Sequence, residues 1–150
     1  MAAPNTSQIY SRVADIQWGA TDGNGGSAGP LLTANTAKDG TGTVLTVFTA
    51  DATNGGRVEG VRARACGTNV ATVLRVFINN GSANSTLANN TLYAEITCPA
   101  TTASAVAALG DVLLAAPYFP LVLPPGYKIN VTIGTTVAAG LQVTAFGGKY

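Results

Sequence analysis

Between Leu123 and Tyr150 the chain reads LPPGYKINVTIGTTVAAGLQVTAFGGKY, and its alternation of apolar and polar residues between turn residues suits one kind of backbone. Pro125 and Gly126 fit the two central positions of a type II turn, because proline presets a negative φ and glycine supplies the positive one. After the turn, Tyr127, Ile129, Val131 and Ile133 share one face and Lys128, Asn130 and Thr132 the other, the period of a strand with one buried side. Gly134 to Gly140 reverses the chain, and Leu141, Val143 and Ala145 repeat the inward face with Gln142, Thr144 and Phe146 outward. The expectation is a closing hairpin.

The same pattern runs upstream from Thr43. TVLTVFTA is β-branched and aromatic, Asn54 to Gly56 is a turn, and RVEGVRARACG and VATVLRVFINNG read as paired strands around a Gly-Thr-Asn turn. In the second of these Val70, Thr72, Leu74, Val76 and Ile78 fall on one face, with Ala71, Val73, Arg75, Phe77 and Asn79 on the other. Both faces carry apolar groups, as where one covers a core and the other meets a second surface. NNGSANSTLANN is a polar loop. TLYAEITCP is a strand with Leu92, Ala94, Ile96 and Cys98 inward and Tyr93, Glu95 and Thr97 outward. Ala100 to Ala116 is rich in alanine, yet its threonines and Gly110 favour a loop followed by a strand at Asp111 to Ala115. Pro117, Pro120, Pro124 and Pro125 restrict Pro117 to Gly126 to edge or connecting chain. About eight short strands at turn-punctuated spacing describe an all-β protein, a single β-sandwich of the jelly-roll or immunoglobulin-like kind.

Residues 1–42 read differently. Trp18 to Pro30 holds too much Gly, Asn, Asp and Ser for a helix or a central strand, so an extended N-terminal arm is expected before a sandwich domain at residues 43–150. Ile9, Tyr10, Val13, Ile16 and Trp18 are its apolar anchors, fit either to dock the arm or to begin the sheet as an edge strand. The Asp22 to Gly26 stretch glances toward calcium loops, but the twelfth position from Asp22 is Thr33 where such a loop needs glutamate.

The side-chain inventory offers little for catalysis. The chain has no histidine, which removes the commonest general base and metal ligand, and none of its seven acids pairs with another at a suggestive spacing. No enzyme activity, metal or other cofactor is expected. Charged residues make up only 10% of the chain and its net charge is +1, without the clustered cations that phosphate neutralisation requires, so no nucleic acid partner is expected. No apolar run is long enough to span a membrane, and the N-terminus lacks the basic start and apolar block of a signal peptide. A soluble protein made in the cytoplasm is the expectation. Cys66 and Cys98 read as buried apolar thiols, with a bridge between them left open.

Interaction therefore carries the functional reading. Arg57, Arg62, Arg64 and Arg75 are the local basic cluster, and Arg62 and Arg64 share a strand face that suits a carboxylate on a partner subunit, or else an ion pair with Glu59 or Glu95. Tyr93, Phe77 and Phe146 on outward faces form a candidate apolar patch. Ile9, Tyr10, Trp18, Arg62, Arg64 and Phe146 are the candidate interaction residues.

At TVFTADATNGGRVEGVRA, NVATVLRVFINNGS, NNTLYAEITCPATTASA and LPPGYKINVTIGTTVAAGLQVTAFGGKY the chain resembles a family of small proteins encoded among the structural genes of tailed bacteriophages and prophages. The likeness runs from about Thr43 to Tyr150, and its most specific piece is the Leu-Pro-x-Gly-Tyr turn with the strand after it. Within that group it is most similar to head decoration, or cement, proteins. The resemblance implies a virion protein on the capsid exterior, made in the bacterial host cytoplasm, with the major capsid protein as partner. A small homo-oligomer, a trimer before a dimer, suits the three-fold junctions of capsids. The rival from another class is a receptor- or glycan-binding module of a tail or head fibre, reading its ligand with the loops Asn79 to Asn90 and Gly134 to Gly140, and a tail or baseplate component is a third.

Overall fold

The computed structural model describes the backbone of Val13–Trp18 and all of residues 30–150. Nine strands follow in order: β1 (Val13–Trp18), β2 (Leu45–Thr49), β3 (Gly56–Ala65), β4 (Thr72–Asn79), β5 (Asn90–Cys98), β6 (Asp111–Leu114), β7 (Leu121–Leu123), β8 (Lys128–Ile133) and β9 (Leu141–Lys149). Among the described residues the helical content is one 3-10 turn at Leu87–Asn89. Thr43's neighbourhood, the Asp111 strand and the alternating strand after Gly126 all stand where the side-chain pattern put them. The proline-rich connection contains a short strand, β7, and two cis peptide bonds, Ala116-Pro117 and Phe119-Pro120.

The strands form two antiparallel sheets. One runs β1-β9-β3-β6, with β7 sharing the β6 edge of β3; the other runs β2-β8-β4-β5. Sequence neighbours at the ends of the chain pair with neighbours at the far end: β1 with β9, β2 with β8, β3 with β6 and β7, and β4 with β5. Successive pairs in this nested series alternate between the sheets.

That connectivity corrects two expected hairpins. β3 and β4 lie in different sheets, and so do β8 and β9, so the closing stretch crosses from one sheet to the other. An alternating strand buries the same side chains whichever sheet it joins, and a connection of six or seven residues is long enough to cross the ~10 Å between packed sheets. The two crossing turns are bonded to each other. Buried Asn69 donates from Nδ2 to the Gly140 carbonyl at 2.8 Å and accepts from the Ala139 N–H at 2.7 Å, and the Cys66 N–H reaches the Gly140 carbonyl at 3.0 Å.

One apolar core lies between the sheets. Val58, Val61 and Ala63 of β3 and Val143 and Ala145 of β9 meet Leu74 and Val76 of β4 and Ile129, Val131 and Ile133 of β8 in a single cluster closed by Leu114, Phe119 and Leu123. Each fully buried Val, Leu, Ile or Phe side chain contributes about 1.5–3 kcal/mol relative to exposure.

The outer face of the four-stranded sheet is covered over β4 and β8 by residues 34–42, while Leu92 and Glu95 of β5 stay exposed beside them. The Asn35 N–H donates to the Ile133 carbonyl at 2.8 Å and the Ala34 N–H to Thr136 Oγ1 at 3.1 Å, and Arg75 Nη1 donates to the Asn35 carbonyl at 3.0 Å, whereas Leu31 bridges Leu141 of β9 in the other sheet. A Cβ on Gly40 would stand 3.1 Å from the Phe77 ring, so this segment lies directly over that side chain. Phe77, expected in an exposed patch, is therefore wholly buried. Asn130 and Thr132, the polar side of β8, are buried for the same reason.

A bulge changes the facing of β5. Val76 is registered with Ala94 but Phe77 with Leu92, which leaves Tyr93 as the additional residue. Leu92 is turned outward, correcting its inward placement, while Tyr93 packs edge-on against Tyr118 and Phe119 and its hydroxyl donates to the Tyr118 carbonyl.

Candidate functional site

The two sheets differ in what lies outside them. Residues 34–42 pack on β4 and β8 of the four-stranded sheet, whereas the outer face of the five-stranded sheet leaves Arg62, Arg64, Leu113 and Val122 exposed. Its rows follow from register. Trp18, Thr144, Arg62 and Leu113 stand side by side across β1, β9, β3 and β6. The next row holds Gln142, Arg64 and Asp111, and on the other side Ile16, Phe146 and Gly60 align. Four of the sequence-predicted interaction residues, Trp18, Arg62, Arg64 and Phe146, are thus brought to neighbouring register positions on one sheet. Ile9 and Tyr10 lie outside the described residues. Val13–Trp18 takes the edge-strand alternative, paired with β9 along its whole length.

Glycine shapes this face at two places. A Cβ on Gly60 would meet Phe146 Cζ at 2.6 Å and the Leu114 carbonyl at 3.0 Å, so the half-buried ring rests where a side chain would otherwise stand. At Gly147 a Cβ would collide with the Arg57 carbonyl beside the bulge at Val58 and Gly60. Only glycine permits that approach between β3 and β9.

Glu59 and Glu95, the carboxylates expected for Arg62 and Arg64, are taken by other arginines. Arg57 Nε holds Glu59 Oε1 at 2.6 Å, and Arg75 Nε holds Glu95 Oε1 at 2.8 Å. Arg62 and Arg64 share the single carboxylate of Asp111, at 3.9 Å from Nη1 and 3.5 Å from Nε. Charge-assisted N–H···O bonds run to about 2.7–2.9 Å, so Asp111 sits between the two guanidiniums without closing a full bond to either. The side chains of Arg62 and Arg64 remain about half exposed, at 51% and 49%. On β3 and β6, three guanidiniums, Arg57, Arg62 and Arg64, thus meet two carboxylates, Glu59 and Asp111, leaving one positive charge in excess on those two strands.

Asp111, Leu113 and Val122 were missed as members of this face. Asp111 and Leu113 do carry a period-two signal, alternating with the inward Val112 and Leu114. Their partner strand is not readable locally, because β6 joins β3 across more than forty residues of chain.

An apolar cavity of about 180 Å³ opens at the sheet edges among Ala63, Ala65, Cys98, Ala100, Val112 and Leu141. Cys98 is buried there and Cys66 is exposed, and both thiols are free. Cys98 thus matches the expectation of a buried thiol and Cys66 departs from it. Burial pushes the Cys98 thiol above its ordinary pKa, against a smaller opposing pull from a backbone hydrogen bond at Leu74. Asp51 is held below the ordinary carboxylate range by the N–H groups of Asn54 and Thr53, and Asp39 by the Thr41 hydroxyl and N–H. Both are turn-forming carboxylates.

Compared with known proteins, the chain matches no family model, no curated protein and no solved structure.

Proposed function

We infer that this chain is a virion structural protein of a tailed bacteriophage, a decoration protein that binds the outside of the head and stabilises its subunit junctions. The observation that carries the reading is the contrast between the two sheets: one outer face is covered over its central strands by the chain's own residues 34–42, while the other presents Arg62, Arg64, Leu113, Val122 and the half-buried Phe146. A mixed apolar and arginine surface of this kind is the composition of protein interfaces. Cementing a shell needs area and repetition, not a reactive centre.

The strand pairing supports a jelly roll. Nested pairs that alternate between β1-β9-β3-β6 and β2-β8-β4-β5 match its double Greek key, an architecture used by viral capsid domains and also by lectins. The sequence resemblance favours the virion among those uses. So do the loops on which a glycan-binding rival would depend, because the asparagine side chains of the first and three residues of the second are bonded internally. Asn80 bonds Asn89, Asn84 donates to the carbonyls of Gly40 and Gly42, and Asn90 donates to the carbonyls of Asn84 and Thr86. In the other loop Thr135 bonds Thr72, Thr136 bonds Ala34 and Ala139 bonds Asn69. The partner in this reading is the major capsid protein, with the chain acting as a small homo-oligomer, a trimer at three-fold junctions.

The test is particle stability. Heads assembled without this polypeptide should release DNA at a lower temperature than complete heads, and purified protein added back should restore the difference. Equal release temperatures with and without it would contradict a cementing role.

A further inference from the structure

The pairing at Asp111 is the unusual feature of the open sheet. The other two arginines of the described residues, partly exposed Arg57 and buried Arg75, each meet their own carboxylate at 2.6 or 2.8 Å, but Arg62 and Arg64 divide one carboxylate at 3.9 and 3.5 Å. They stand two residues apart on β3, so their side chains leave the same face roughly 7 Å from each other. Leu113 is registered opposite Arg62 and stays 53% exposed, and Val122, registered opposite Arg57, stays 60% exposed.

We propose that Arg62 and Arg64 form a clamp for a carboxylate on an acidic protein surface whose neighbouring aliphatic groups cover Leu113 and Val122. The inference rests on the reading of this chain as a surface-docking virion protein for the origin of that partner, while its chemistry is argued from the face alone. The occupant follows from charge complementarity: among the described side chains of β3 and β6, three guanidiniums face two carboxylates, an excess of one positive charge. A guanidinium offers a planar fork of donors matched to carboxylate oxygens, and neither fork is closed by Asp111. Asp111 keeps the two side chains facing one another in the free protein and competes for them when a second carboxylate arrives. An exposed ion pair is a weak competitor. Docking thus adds a carboxylate to a prepared pair and removes Leu113 and Val122 from water.

The experiment uses the full chain, labelled for NMR, with sodium hexanoate as a small carboxylate bearing an aliphatic tail. Hexylammonium chloride and sodium chloride at matched ionic strength are the controls. Hexanoate should shift the Nε–H signals of Arg62 and Arg64 and the amide of Leu113, and the controls should not. Arg62→Gln with Arg64→Gln should weaken hexanoate binding at least about fivefold, since the charged donors are removed. Asp111→Asn should strengthen it about threefold by removing the competitor. All the changes are at solvent-exposed side chains, and thermal melts matching the parent protein verify the fold.

Shifts scattered over the molecule, equal shifts with hexylammonium, or weaker binding by Asp111→Asn would overturn the clamp. Self-association in sedimentation that Arg62→Gln with Arg64→Gln abolishes would assign the face to a second copy and overturn the acidic partner. If hexanoate binds as described but virions lack the polypeptide, the virion reading fails and the clamp stands. If virions carry it and hexanoate does not bind at these arginines, the reverse holds.

Discussion

Arg75, in the middle of β4, donates from Nε to Glu95 at 2.8 Å and from Nη1 to the backbone carbonyl of Asn35 at 3.0 Å. One side chain thereby fastens the segment before β2 to the sheet beneath it. The guanidinium also lies where a Cβ on Gly134 would stand 3.2 Å from Nη2, so backbone, strap and side chain are packed as one unit.

Removing that fastening should cost stability. Arg75→Met should lower the unfolding free energy by about 2 kcal/mol, because the Asn35 carbonyl loses a charged donor. Glu95→Gln keeps an acceptor at a partly exposed site and should cost less than about 1 kcal/mol. Urea denaturation of both variants checks the order, and equal costs would place the stabilisation in the ion pair instead.

The two outer faces make opposite predictions for apolar truncation. Phe77→Ala should destabilise by about 3–5 kcal/mol, since the ring is fully buried under Gly40. Leu113→Ala on the open face should stay within about 0.5 kcal/mol. A small effect at Phe77 would mean that the covering segment does not seal that face in solution.

Gly60 and Phe146 should be coupled. Gly60→Ala places a methyl 2.6 Å from Phe146 Cζ in the present arrangement, so the ring must move. In a Phe146→Ala background the same substitution should cost less, with a coupling of about 0.5–2 kcal/mol in a double-mutant cycle. Additive effects would show that the Leu114 carbonyl alone resists the methyl.

The two thiols should separate by reactivity. A chromogenic disulfide reagent should titrate Cys66 in the native protein and Cys98 only on unfolding, since Cys66 is exposed and Cys98 buried. Burial raises the folded-state pKa of Cys98, so its contribution to stability is complete below the ordinary thiol value of about 8.5 and is lost as pH rises through the raised folded value. Melts between pH 8 and 10 should fall more steeply in the parent protein than in Cys98→Ala. Rapid native titration of both cysteines would contradict this.

Strand content was legible because alternation is a local property. Ile129, Val131 and Ile133 could be placed inward from their spacing alone, and the Asp111 strand from its context. Sheet membership was not, since β8 and β9 bury the same residues whether they form a hairpin or cross between sheets. Phe77 was misplaced because its cover comes from Gly40, far along the chain, and Leu92 because the extra residue at Tyr93 leaves no mark in a pattern of period two. In the candidate site, Arg62, Arg64 and Phe146 were found from their shared facing, whereas Asp111 and Val122 required the pairing of β6 and β7 with β3.

The most direct measurement of the central claim is the number of copies of this polypeptide per virion, with its position on the particle, from quantitative mass spectrometry and imaging of purified phage that encodes it. A decoration protein should be present on the scale of the shell's own subunits and spread over the head. A few copies confined to a tail tip or a single vertex, or none, would contradict it.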